Sequence, residues 1–358
     1  MYDIVIIGAG PAGATIARLL ERKYKILIVD KRNLFDASGF IREKCCGGLL
    51  APAAQKALAK QGLGIPEGIL TGPQTFSVKS VDFDNDIVKY YQRHYININR
   101  EKFDRWLVSL IPKSVDQMFN AIYKSYREEN NVYKLEIDNN GELVEIATKM
   151  LIGADGSVSR IKGQVFGNEL QPEKYISIQE HFKVEEALPY YVSIFDSEVT
   201  DFYSWIIQKD DELLVGTAIP EVKNAEKKYT ILAEKLRKLG YITGKPLKRT
   251  GTIIMRPRNL KQLNFFKDRI ALVGEAAGLI SPSSAEGISY ALDSGKILAS
   301  CINLWGDDFG VHYKHRVAGL RKNLLIKRLK VMLMYNKLIR KIIMKTGILS
   351  MNMQNHEQ

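Results

Sequence analysis

The stretch DIVIIGAGPAGA, residues 3–14, decides the fold. Its first half is a short β-branched run bounded by glycine, the pattern of a strand buried on both faces. Gly8-Ala9-Gly10-Pro11-Ala12-Gly13 follows, and Ala14 to Leu20 continues as a helix. Gly8 permits the tight turn, Gly10 lets the backbone approach a pyrophosphate, and Gly13 lets helix and strand pack closely. Pro11 and Ala12 lie in the same phosphate-facing turn, where the helix N-terminus offers free N–H groups and the positive end of its dipole. A second buried strand, ILIVD at 26–30, ends in Asp30, whose carboxylate can accept both hydroxyls of a ribose. Lys31, next in the chain, is assigned to the same site. These residues predict a dinucleotide site without separating FAD from NAD.

Two later segments extend the pattern. Leu151-Ile152-Gly153-Ala154-Asp155-Gly156 is another strand leaving at a tight turn, followed by Ser157-Val158-Ser159-Arg160. Ile270 to Val273 form a third buried strand. Gly274-Glu275-Ala276-Ala277-Gly278 then place an acid among small residues opening a helix, with Pro282 and Glu286-Gly287-Ile288 in the next turns. In order and spacing these three segments resemble the fingerprints of flavoproteins with the p-hydroxybenzoate hydroxylase fold. The resemblance implies FAD, with the acid of the third motif bonding the ribityl chain and the helix after it aimed at the flavin pyrimidine. Glu275 stands where that pattern has aspartate, one methylene shorter.

Four further segments resemble the geranylgeranyl reductase branch. Lys44-Cys45-Cys46-Gly47-Gly48 is similar to its K-x-C-G-G loop, which faces the flavin. Arg100 to Leu107 look like its R-x-x-F-D-x-x-L helix start, and Tyr203-Ser204-Trp205-Ile206-Ile207-Gln208-Lys209 like its Y-x-W-I-F-P-K strand. Pro282 to Ile288 resemble its P-x-x-G-E-G-I loop, with Ala285 where the pattern has glycine and Gln208 where it has proline. Cys46, set before two glycines that allow close approach, reads as a thiol at the flavin face or as a small loop residue. Arg100, near a helix start, reads as a cation at the cofactor or as a surface arginine. Tyr203 and Trp205 read as core packing or as the wall of an apolar substrate pocket. His94 and His181 read as structural or surface residues.

The expected fold class is α/β plus antiparallel β: a Rossmann-like FAD-binding domain of three layers, β/β/α, a second antiparallel-sheet substrate domain, and C-terminal helices. The FAD domain takes 1–72, 96–165 and 265–305; the substrate domain takes 73–95 and 166–264, with a helical insertion at 223–239; a basic tail takes 306–358. The composition, 46% hydrophobic and 26% charged, excludes a disordered or collagen-like chain. The three cysteines form no CxxC pair, so no metal site is expected and a reducing cytoplasmic compartment is. No basic n-region opens the chain and no run of 18 apolar residues lacks charge, so neither signal peptide nor transmembrane helix is expected.

The net charge of +12 is local. Residues 311–345 hold eleven Lys/Arg and no Asp/Glu, and taking those eleven from +12 leaves +1, so no nucleic-acid partner is expected. In that segment Leu325, Leu329, Met332, Ile339 and Ile343 recur near helical spacing while Lys330, Lys337, Lys341 and Lys345 line another side. It reads either as a helix pair capping the substrate domain or as a peripheral attachment to anionic lipid on the inner face of a membrane.

The activity expected from the resemblance is FAD-dependent reduction of C=C bonds in an apolar, isoprenoid-like small molecule. The electron donor is NAD(P)H or a reduced electron carrier, since a second nicotinamide-binding GxGxxG is absent. Two alternatives stand beside it: a monooxygenase acting on an aromatic or polyketide molecule, and a flavin-bearing binding or resistance protein with slow turnover.

Overall fold

The computed structural model describes residues 1–35, 44–167, 171–220 and 222–347. Tyr2–Ile7 and Ile26–Asp30 lie side by side in parallel, flanked by Glu142–Gly153 and Ile270–Leu272 on one side and Asp116–Phe119 on the other. The central two are buried almost throughout, as parallel strands covered on both faces must be. Helices Pro11–Leu19 and Ile288–Trp305 pack together in one layer. The first half of Glu142–Gly153 also pairs antiparallel with Val132–Asn139, which pairs with Ala121–Glu129. This hairpin contributes Tyr123, Tyr133, Leu135 and Ile137 to the same core and forms the third layer.

The second sheet runs Lys248–Arg256, Glu173–Lys183, Glu212–Ile219, Ser204–Lys209, Tyr191–Phe195, Thr75–Asp82, Ile87–Asn97, Leu49–Leu50. It is not purely antiparallel as expected: Tyr191–Phe195 runs parallel to Thr75–Asp82. Strand alternation divides its side chains between two faces. Val192, Ile194 and Ile206 pack under helix Ala225–Lys238, which buries Tyr229, Leu232, Ala233 and Leu236. That helix, expected as an insertion, is the backing layer of the sheet. Tyr191, Trp205 and Ile207 belong to the opposite face, with Tyr175, Phe202, Tyr203 and Tyr335.

The structure divides the segment after residue 306 differently from the expected tail. Helix Phe309–Arg316 joins the first core: Phe309 and Tyr313 are fully buried, and the Tyr313 hydroxyl donates to the Leu272 carbonyl at 3.0 Å. Two further helices follow, Ala318–Tyr335 and Lys337–Thr346, broken at Asn336, whose side chain caps the second by accepting from the Leu338 and Ile339 N–H groups. The break re-phases the expected stripe. Ile339 and Ile343 turn inward with Arg340 and Met344, and Leu338 and Ile342 face out. The expected tail continues into 348–358, outside the described residues. No helix among the described residues is long and apolar enough to cross a membrane.

Candidate active site

The three glycine-rich turns are remote in sequence and touch in space. Gly8 has φ +104°, and a Cβ there would lie 2.3 Å from the Ala154 carbonyl oxygen. A Cβ on Gly13 would lie 1.8 Å from the Gly8 carbonyl oxygen, so helix and strand approach as closely as backbone permits. A Cβ on Gly274 would come within 3.3 Å of the Ala12 Cβ. A Cβ on Gly10, by contrast, would meet nothing within 4 Å. Gly10 caps helix Pro11–Leu19, whose first turn has no side-chain cap. An open space facing uncapped helix N–H groups fits a diphosphate.

Asp30 ends its strand as expected, and its carboxylate is already engaged. Oδ2 accepts from the Ala9 N–H at 2.7 Å, and Oδ1 from the backbone N–H and Nε of Arg32 at 2.8 and 3.1 Å. Arg32 continues to Asp104 at 2.8 Å, and Asp104 accepts from Arg100 Nε at 2.9 Å. Burial opposes the charge on Asp104, but Arg100, Arg32 and Lys44 together hold its carboxyl far below the ordinary range. Lys31, expected at the site, is solvent-exposed, and Arg32 takes the inward position instead.

Arg100 is the first residue of helix Arg100–Ser109, behind an Asn99 cap that accepts from the Lys102 N–H. Its Nη1 lies 3.5 Å from Cys46 Sγ, which also accepts from the Gly48 N–H at 3.4 Å. Burial pushes the Cys46 thiol up, but Arg100, the Gly48 N–H and Lys44 outweigh it and leave the thiol below its usual value. Lys44 is itself lowered, mainly by the charge of Arg100. Cys45 points elsewhere, 3.1 Å from Gln179 Oε1, and burial pushes it up to about 11.

The Cys46 loop is tied to the second sheet. Leu49–Leu50 pairs with the end of Ile87–Asn97. Lys209 Nζ donates to the Gly48 and Ile98 carbonyls at 3.0 Å each and to Asn97 Oδ1 at 2.5 Å. Burial draws this ammonium down to about 7, with the charges of Cys46 and Asp210 pulling it back. A Cβ on Gly47 would lie 2.8 Å from Ile207 Cδ1, so the loop rests on the aromatic face of the sheet. There Trp205 fills the space over Gly216, and its indole N–H is buried without a partner among the described residues. Tyr203 packs 5.6 Å from Trp205 and donates to the Ser284 carbonyl at 2.9 Å.

The third motif departs from its expected form. Gly274–Ala277 is a single 3-10 turn, closed at Gly278 with φ +82°, and the long helix starts only at Ile288. Glu275 accepts from the Met255 N–H at 3.3 Å; burial raises its carboxyl, opposed by Lys44, that N–H and Arg100. Asp155 Oδ2 accepts from the Arg160 N–H at 2.9 Å, and Oδ1 is buried without a partner among the described residues. Gly156 has φ +82° and follows at the turn. The Arg160 side chain is exposed and donates to the Tyr123 carbonyl, away from the other motifs. Glu286 caps helix Ile288–Trp305 through the Ser289 N–H and hydroxyl, behind Gly287, and lies 3.4 Å from Lys327. The Pro282 carbonyl accepts from Arg256 Nε at 3.0 Å. Ala285 adopts φ +50°, so the backbone keeps the left-handed turn that the family's glycine would occupy.

The structure therefore brings together the three turns, the Cys46 loop, Lys44, Arg100 and the Tyr203–Trp205 wall. It leaves Lys31 and the Arg160 side chain outside. Sequence reasoning missed Arg32, Asp104 and Lys209. Asp104 had a signal, its i,i+4 spacing from Arg100; Lys209 had one in ending the buried strand; Arg32 had none that Lys31 lacked. His181, read as a structural or surface residue, is buried and lies 2.7 Å from Glu212 Oε2. No cluster of metal ligands occurs among the described residues.

Comparison with known proteins agrees with this architecture. A family model described as an NAD(P)-binding Rossmann-like domain matches residues 6–36. The crystal structure of a geranylgeranyl bacteriochlorophyll reductase-like protein from Thermoplasma acidophilum superposes with a TM-score of 0.80 at 19% identity, over 96% of this chain and 90% of that one. PqsL, a probable FAD-dependent monooxygenase from Pseudomonas aeruginosa, gives 0.71 at 16% identity, over 96% and 98%. The fold is thus that of flavin-dependent oxidoreductases, shared by a reductase-like protein and a probable monooxygenase. Protein CbrA of Escherichia coli O157:H7 is 38% identical over 347 residues, 97% of each chain. Identity at that level along nearly the full length of both chains makes this protein a member of the CbrA family.

Proposed function

We propose that this protein is an FAD-dependent oxidoreductase that reduces C=C bonds of an apolar, isoprenoid-like molecule. The observation that carries the reading is the position of Cys46. It sits beside a cationic group, Arg100, that favours its thiolate, on a loop that rests against a mostly apolar aromatic wall.

The residues present fit FAD. Gly10, Ala12 and Gly13 would receive the diphosphate at the open helix terminus, and Asp30 would meet the ribose in competition with Arg32. Asp155 and Trp205 each bring a buried polar atom that needs a partner. Glu275 and Gly278 would border the ribityl chain and ring. Bound FAD supplies hydride transfer, with NAD(P)H or a reduced carrier as electron source.

The chain's own part is orientation and proton placement. Lys209 fixes the loop that carries Cys46 by joining Gly48, Asn97 and Ile98. Tyr203 is held to the Ser284 carbonyl, and burial keeps its proton in place. Cys46 Sγ, its thiol held below its usual value by Arg100, the Gly48 N–H and Lys44, is a group beside this wall that can give up a proton and take it back. Trp205 and Tyr203 exclude water and align an apolar chain.

The test is turnover without oxygen. FAD-loaded protein reduced by dithionite or NADPH under argon is given prenyl alcohols and diphosphates, and products are weighed by mass spectrometry. Gain of two hydrogens per double bond supports the reading. Product that forms only in air, with oxygen incorporated, replaces it by the monooxygenase. Binding without product in either atmosphere replaces it by a flavin-bearing binding protein.

A further inference from the structure

We propose that the outer side of helices Ala318–Tyr335 and Lys337–Thr346 is a docking surface for an anionic lipid bilayer. Helix Ala318–Tyr335 has 18 residues and fully buries only Leu324. By their spacing Leu325, Ile326, Leu329 and Met332 share one arc of Ala318–Tyr335, and Leu338 and Ile342 lie one turn apart on Lys337–Thr346; all six are exposed, from 41% at Leu325 to 71% at Leu338. Isolated exposed apolar side chains are ordinary, but six on two consecutive helices leave apolar surface that water disfavours.

The inner side of these helices is fastened to the body. Arg340 is buried against Asp82 and Asp84, with Nε 2.7 Å from Asp82 Oδ2. Tyr335 donates to the Ser283 carbonyl at 2.8 Å, Tyr290 to Asn323, and Lys327 lies beside Glu286. These contacts fix which side of the helices faces outward.

Charge selects the occupant. Of the eleven basic residues in 311–345, Arg340 and Lys327 have carboxylate partners. No carboxylate of the described residues is within ion-pair distance of the other nine, and the segment holds no acid of its own. A second copy docked through this face would set like charge against like charge. An anionic leaflet instead accepts the apolar arc between its headgroups, while Lys330 and Arg328 at the edges of the arc reach phosphate by extending their stems. The docked face would be about 10 Å, one helix width, from the Ser283–Glu286 turn beside the candidate active site. The proposal does not depend on the reaction proposed above.

Full-length protein is sedimented with phosphatidylcholine vesicles with and without phosphatidylglycerol. Binding to the anionic vesicles at low salt, release at high salt and no binding to neutral vesicles support the proposal. Arg328→Ala and Lys330→Ala should each weaken binding about fivefold. Leu329→Asp combined with Met332→Asp should abolish it, with FAD content and melting temperature unchanged. Equal binding to neutral and anionic vesicles, or none to either, overturns it. A dimer in solution that Leu329→Asp dissociates, without lipid binding, overturns it in favour of a second copy.

Discussion

Two adjacent thiols, Cys45 and Cys46, are set apart by their neighbours. Cys46 faces Arg100 and is lowered, while Cys45 faces Gln179 and is pushed up to about 11. Alkylation rate follows the thiolate fraction, so a lowered pKa moves the rise in rate to lower pH. Peptide mapping after iodoacetamide at pH 7.5 should find Cys46 modified well before Cys45. Arg100→Met should slow Cys46 several-fold and shift its profile upward, and bound FAD should protect it. Equal rates at both thiols would remove the electrostatic distinction. Ala285 is a second local case: a non-glycine residue at φ +50° costs about 1 kcal/mol, so Ala285→Gly should raise stability by up to that amount in denaturant melts. At this scale the sequence was legible where a motif fixes a position, as at Asp30, which ends its strand. It was not legible where the choice depends on which of two neighbours turns inward, as for Lys31 and Arg32, because a strand end has no fixed period beyond its last bonded residue.

The strand–turn–helix of residues 2–19 allows folding and cofactor binding to be separated. A Cβ on Gly13 would collide with the Gly8 carbonyl at 1.8 Å, whereas one on Gly10 meets nothing within 4 Å. Gly13→Val should therefore destabilise the protein by several kcal/mol, in the range of severe overpacking. Gly10→Val should melt near the wild-type temperature and lose FAD. Thermal melts and flavin content together check the pair. Buried strands such as Ile26–Asp30 were readable because parallel strands demand continuous apolar runs. The parallel pairing of Tyr191–Phe195 with Thr75–Asp82 was not, since pairing direction is set by the path between strands rather than by their side chains. The apolar stripe counted from Leu325 to Ile343 loses its phase beyond Asn336 for a similar reason: the cap there restarts the helix, and a period counted through it loses its meaning.

Across the whole molecule, each component of the candidate site comes from a different part of the chain. The turns belong to the parallel sheet, the aromatic wall to the second sheet, and the Cys46 loop joins the two through Leu49–Leu50 and Lys209. A cleft between two such bodies is where a cofactor and an apolar substrate can meet. The three motifs made the first body legible, because a diphosphate demands the same glycines wherever it binds. The substrate is less legible, because an aromatic wall specifies polarity and width rather than a molecule. The claim on which the reaction, the thiol and the wall all depend is that FAD occupies this cleft. The direct measurement is the visible spectrum of purified full-length protein, with flavin released by denaturation, identified by chromatography and counted against chain. One FAD per chain is expected, retained through gel filtration or restored by reconstitution, and none in Gly10→Val. A wild-type protein that is folded, colourless and unable to take up FAD would contradict it.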